Sequence, residues 1–398
     1  MTESTMSSER EKKLRELAEM MNTRHRLPFP ITKPLLDCFD VAVTPQENEF
    51  LLRIGTESLK RNEVPLRTRL PEEESGRLFD SSVRKGFLWP QGTREGEEVF
   101  ALSGIMLGWF EIYLADGRET PEQREFARRL DLLMESWRKM NSFPIRSLLN
   151  WKLKKLKPAQ SIVAAKISGD PSTTTIPVGR SVDAAPMKIY PAKTILRLIE
   201  QNGDADNIAV VHCFCRQYHK LMGETCRFDQ PGESCIAIGT LARHAVRYGM
   251  GRHISKEEAT ALVRALGKRG AVHQVFHEHE DVDQPEIAVC NCCWDCCGVF
   301  GSYNRGILPL KFRSYFEARV SDSSLCNGCE TCVDHCPVQA ISIVNGMSSI
   351  NTRKCIGCGQ CELQCPEECI QLVPHERNVL LPLVKRSEAR IPRFASQL

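Results

Sequence analysis

Two runs, "CNGCETCVDHCP" beginning at residue 326 and "CIGCGQCELQCP" beginning at residue 355, set four cysteines and a proline at identical spacing, 29 residues apart. Thiolate sulfur favours soft and borderline metal ions, and three cysteines at i, i+3 and i+6 of one tight loop converge on a single polynuclear centre. Backbone N–H groups of such a loop point at the sulfurs and lower the cost of gathering negative charge there. Gly328 and Gly357 let the loop close without a Cβ clash. The fourth cysteine of each run, Cys336 or Cys365, precedes a proline suited to an early helical position, where no N–H is needed. Structural zinc fits less well, because zinc ribbons use separated CxxC pairs. Cys369 aligns with Ala340 in the repeat and reads as a buried thiol.

Over residues 321–375 the paired CxxCxxCxxxCP runs resemble the bacterial two-[4Fe-4S] ferredoxins. The resemblance implies a ferredoxin-like dicluster domain with crossed ligation. Cys326, Cys329, Cys332 and Cys365 would hold one [4Fe-4S] cluster, and Cys355, Cys358, Cys361 and Cys336 the other. It also implies a chain that relays single electrons to or from a redox partner protein, as a component of an oxidoreductase system.

Nine of the eleven remaining cysteines fall between residues 213 and 297, five of them in "CNCCWDCC" at 290–297. Coincidental buried thiols would scatter. A third metal site is therefore expected from Cys213, Cys215, Cys226, Cys235, Cys292, Cys293, Cys296 and Cys297, with Cys290 alongside. Three chemistries fit: a further iron–sulfur cluster, zinc, or redox-active disulfides. Adjacency to the dicluster run favours the first, and zinc would need four of these thiols or a mixture with His212, His219 or His273. A helical "CCWDCC" would pair Cys292 with Cys296 and Cys293 with Cys297, whereas a loop would converge more of them. Arg216 in "HCFCR" can offset anionic charge. Together with "GMGRHISKEEA", these segments resemble a group of multidomain 4Fe-4S proteins of anaerobic bacteria, over most of residues 190–375. In that group a further cysteine often stands where this chain has Asp295, which leaves a ligand role for Asp295 open.

These residues must be positioned by a chain of 398 residues, long enough for several domains, with a net charge of only +3. No global field marks a nucleic-acid or polybasic membrane protein. "MTESTMSSEREKKLRELAEMM" is charged where a secretory signal needs an apolar core, so a cytoplasmic location is expected. The apolar stretch 99–115 is short for a membrane span and contains Glu111, which suggests a buried helix.

Capping patterns at Ser8/Glu11, Thr44/Pro45, Thr120/Gln123 and Ser255/Glu258 mark helix starts. Two helices and a ribbon turning across Gly92–Gly96 have the order of a winged helix. Glu72, Glu73 and Glu74 crowd the first turn of the helix that would enter a major groove, which disfavours DNA binding. The expected architecture is α+β: a winged-helix-like domain (1–150), a linker (151–186), a cysteine-rich α/β domain (187–310), the ferredoxin-like dicluster domain (321–375) and a tail (376–398). A redox- or iron-responsive DNA-binding regulator is the alternative function.

Overall fold

The computed structural model describes residues 6–25, 28–164, 195–202, 206–277 and 281–391. Most of the linker, with its Ser/Thr/Pro-rich stretch, lies outside these residues, as do Pro191 and residues 203–205, the expected helix start and turn.

Polar caps and prolines set the N-terminal helices. Thr44 Oγ1 accepts from the Glu47 amide at 3.2 Å while the Glu47 carboxylate accepts from the Thr44 amide at 2.8 Å, opening helix Pro45–Ile54. Helix Ser8–Asn22 is capped one residue earlier than the Ser8/Glu11 pattern suggests, since Ser7 accepts from the Arg10 amide at 3.2 Å. Helices Lys33–Ala42, Val64–Thr68 and Glu72–Arg84 complete this part of the chain. Strands β1 (Leu59–Lys60), β2 (Leu88–Arg94) and β3 (Glu97–Leu102) form a sheet in the order β1-β3-β2. Its hairpin turns at Glu95 and Gly96, both with positive φ; Gly92 instead occupies a register shift between Pro90 and Thr93.

The apolar stretch 99–115 is buried but is not one helix. Val99 to Leu102 belong to β3, where the apolar residues Leu88 and Pro90 pair with Leu102 and Phe100 across the hairpin. A π-helical turn, Ile105–Trp109, and a short α-helix, Phe110–Tyr113, follow. Pairing with a neighbouring strand has overridden the local helical pattern. No described helix is long and apolar enough to cross a membrane. Helix Pro121–Lys139, capped by Thr120 with Gln123, sends Phe126, Leu130, Leu133 and Trp137 into the same core as Phe39 and Trp109.

An eight-stranded mixed sheet organises the remainder, giving α+β architecture overall. Its strands are β4 (Gln160–Val163), β5 (Ile208–His212), β6 (Glu233–Ile238), β7 (Gly251–His253), β8 (Val272–His277), β9 (Glu286–Cys292), β10 (Leu310–Val320) and, after the hairpin β11 (Ile341–Val344) and β12 (Met347–Ile350), β13 (Ile370–Leu381). The order is β13-β10-β4-β8-β9-β6-β5-β7, with β4 and β10 parallel and the other pairs antiparallel. Strand β4 therefore lies within the stretch that composition marks as linker. Strand β13 runs past residue 375 and pairs along β10, so Leu381 opposes Leu310. The cysteine-rich and ferredoxin-like regions share one sheet.

The N-terminal part is fastened to that sheet through helix Phe214–Leu221, whose Tyr218 and Leu221 join the N-terminal core. Tyr218 donates to the buried Asp131 carboxylate at 2.5 Å, and Asn141 donates to the carbonyls of Gly306 and Val384, each at 2.8 Å. Cys215 and Arg216 ride on this helix, so its docking also positions thiols.

Candidate metal centres

The cysteine repeat is a repeat of backbone shape. Positive φ recurs at Gly328 and Gly357, at Glu330 and Gly359, and at Gln339 and Glu368, each pair at the sequence offset. A Cβ at Gly328 would stand 2.7 Å from the Gly346 carbonyl oxygen, and one at Gly357 would overlap the Phe316 carbonyl. Glycine is required there both for conformation and for close approach. Each loop leads into a short helix, Thr331–His335 or Gln360–Leu363.

Two cavities result. One is lined by Cys336, Cys355, Cys358 and Cys361 together with Ile341, Ile350 and Ile356, and its four thiols are buried. The other is lined by Cys326, Cys329, Cys332 and Cys365, with Ser348, Thr331 and Cys369. Cys336, from the first run, thus stands with three cysteines of the second, and Cys365 with three of the first.

The two environments differ. In the first, the Ala340 amide donates to Cys336 Sγ at 3.1 Å and the Ala318 amide to Cys355 Sγ at 3.4 Å; burial pushes the Cys336, Cys358 and Cys361 thiols up. In the second, Cys329 is exposed, and the Ser348 hydroxyl lies 3.5 Å from Cys326 Sγ and 3.3 Å from Cys332 Sγ. The Ser348 hydroxyl, with backbone amides, lowers Cys326 to about 7. Cys369 is buried beside this cavity, 3.5 Å from Cys365 Sγ; burial and that neighbour push its thiol up to about 12. It faces the cavity as a fifth thiol, which the match with Ala340 does not reveal.

The nine cysteines of the middle region form two groups. "CNC" ends strand β9, and the residues after it make a tight turn instead of a helix, with the Cys297 amide donating to the Cys293 carbonyl at 3.3 Å. The register that sets Ile236 opposite Val289 brings Cys235 beside Cys290 at the end of the sheet. Six thiols are then electrostatic neighbours in a closed ring, each perturbing the ionisation of the next: Cys213 with Cys215 and Cys235, Cys235 with Cys290, Cys290 with Cys292, Cys292 with Cys297, and Cys297 with Cys215. The Gly298 amide donates to Cys215 Sγ at 2.9 Å, the Val299 amide to Cys297 Sγ at 3.3 Å, and buried Gln274 to Cys297 Sγ at 3.7 Å. Cys290 belongs to this ring although the spacing of the others did not demand it.

Cys226, Cys293 and Cys296 stand apart from the ring and meet Asp295, with all four ligand atoms within 4.8 Å of one another. Arg216 is buried between the groups, donating to Cys293 Sγ at 3.6 Å and to the Asn291 carbonyl at 2.6 Å. The histidines are engaged elsewhere. His219 pairs with Glu224, His273 is bound to Asn291 at 2.6 Å, and His212 lies against Gly117 and Gly232.

Residues 318–366 match the family model described as a 4Fe-4S dicluster domain. Comparison with curated proteins and with solved structures gives no match. The C-terminal part of the chain is thus a ferredoxin-like 4Fe-4S dicluster domain, and such domains serve iron–sulfur electron transfer.

Proposed function

We propose that this chain is an iron–sulfur electron-transfer protein that relays single electrons between a redox partner protein and its own middle region. Cys326, Cys329, Cys332 and Cys365 would hold one [4Fe-4S] cluster and Cys336, Cys355, Cys358 and Cys361 the second. The observation that carries this reading is the pair of thiol-lined cavities in which Cys336 and Cys365 have changed places, all eight of these cysteines lying inside the matched segment. Clusters bound there supply reversible one-electron chemistry. The chain's own groups hold the sulfurs, direct N–H donors at them, and shield one cavity with isoleucines while leaving the other near solvent. The six-thiol ring would be a third metal centre, since six neighbouring thiols can ionise together only against mutual repulsion, which metal binding removes. A reducing, cytoplasmic setting suits so many free cysteines.

The N-terminal order of helix, strand, two helices and hairpin supports a winged-helix-like domain, which is what the regulator alternative would use. Two features weigh against it. The acidic triplet opens helix Glu72–Arg84, and the hairpin is occupied within the chain: Trp89 packs edge-on against His244 and Glu98 pairs with Arg247 at 2.7 Å. Anaerobic purification with iron and sulfide quantification and EPR tests the main reading. Two [4Fe-4S] signals on reduction are expected, and colourless iron-free protein would refute it. Specific DNA binding at nanomolar concentration, weakening steeply with salt, would favour the regulator instead.

A further inference from the structure

We propose that Cys226, Cys293, Cys296 and Asp295 form a separate mononuclear zinc site that fastens the cysteine-rich region to the ferredoxin-like unit. Cys226 Sγ lies 3.5 Å from Cys293 Sγ and 3.9 Å from Cys296 Sγ. Sulfurs sharing one tetrahedral ion through metal–sulfur bonds of about 2.3 Å stand about 3.8 Å apart. A cubane instead spreads its cysteines over four ions and keeps their sulfurs out of contact. Cys226 instead touches both of its partner thiols directly.

The fourth position is prepared. The Arg227 amide holds Asp295 Oδ2 at 3.0 Å, Asp295 Oδ1 is buried without a hydrogen-bond partner, and a carboxylate oxygen of Asp295 lies within 4.8 Å of all three sulfurs. Three thiolates and a carboxylate exceed the charge of one divalent ion, and buried Arg216 offsets part of the excess at Cys293.

Location gives the role. One ligand lies on the loop after helix Phe214–Leu221 and the other three on the turn after β9, and both segments touch the ferredoxin-like unit. Arg227 pairs with Asp334 at 2.8 Å, Trp294 Nε1 donates to the Asp334 carbonyl at 2.9 Å, and Phe228 packs on His335. A single ion would lock the two segments together at that junction, adjoining the thiol ring through the Cys292–Cys293 peptide. The site stands or falls independently of the cluster assignments.

The test is zinc and iron measured together on full-length protein purified anaerobically. About one zinc per chain is expected. Cys226→Ala and Cys296→Ala should lose zinc and keep wild-type iron. Asp295→Cys should retain the ion, and Asp295→Asn should bind it roughly ten-fold or more weakly in chelator competition. These two variants keep every cysteine, so they read the site even where a cysteine variant fails to fold. Cobalt(II) exchanged for zinc should show tetrahedral thiolate-bound absorption that Cys226→Ala abolishes. Wild-type protein without zinc, iron loss in Cys226→Ala and Cys296→Ala, or equal affinity of Asp295→Cys and Asp295→Asn would overturn the proposal.

Discussion

Sulfur chemistry is tuned one hydrogen bond at a time. Ser348 serves two thiols of the half-exposed cavity, and donors to cluster sulfurs raise reduction potential, whereas burial away from water disfavours the more negative reduced state. Two distinct reduction steps are therefore expected, the higher at the Cys326 centre. Ser348→Ala should move that step to lower potential and leave the other in place, as read by an EPR-monitored redox titration; a shift of both steps would contradict the assignment. Ligands and bystanders separate by iron content. Cys329→Ala and Cys358→Ala should each lose about one cluster's iron, while Cys369→Ala, which removes a thiol outside the repeated pattern, should retain it. Equal loss in all three would place Cys369 among the ligands.

At the scale of elements, turns and junctions carry the strain. Gly357 and Gly346 both have positive φ, but a Cβ meets the Phe316 carbonyl at Gly357 and open space at Gly346. Gly346→Ala should cost about 1 kcal/mol, and Gly357→Ala considerably more, with loss of iron from the buried cavity. Thermal melts and iron assays of the two variants check this pair. Where the hairpin meets helix Thr240–Arg247, His244 is buried among Trp89, Phe100 and Tyr248 with neither ring nitrogen hydrogen-bonded. Burial, aided by Arg247, lowers it from 6.5 to about 4. The unfolded chain takes up this proton first as pH falls. The contribution is therefore complete above about pH 6.5 and is lost toward pH 4, by an amount on the order of 3 kcal/mol. Denaturant midpoints measured from pH 7 to pH 4 should fall less steeply in His244→Phe than in the wild type.

For the whole molecule, one sheet carries both the thiol ring and the strands flanking the dicluster loops, so the centres are held in a fixed frame. Clusters in the two ferredoxin cavities would account for about eight irons, and iron beyond that would report the ring. A content of about eight, with the ring thiols fully open to alkylation, would leave the ring without metal. The sequence by itself determined the duplicated loops, because four thiols, a glycine and a proline at fixed spacing encode a local backbone shape that needs no distant partner. It also determined the caps at Thr44, Thr120 and Ser255, which are contacts within three residues. Domain boundaries were less legible, since β4 and the end of β13 are strands only through partners far along the chain. The division of nine cysteines into a ring of six and a group of three with Asp295 was decided by tertiary structure alone. Strand register places Cys235 beside Cys290, and a turn where a helix was conceivable aims Cys293 and Cys296 away from Cys292 and Cys297; such long-range pairing leaves no trace in spacing.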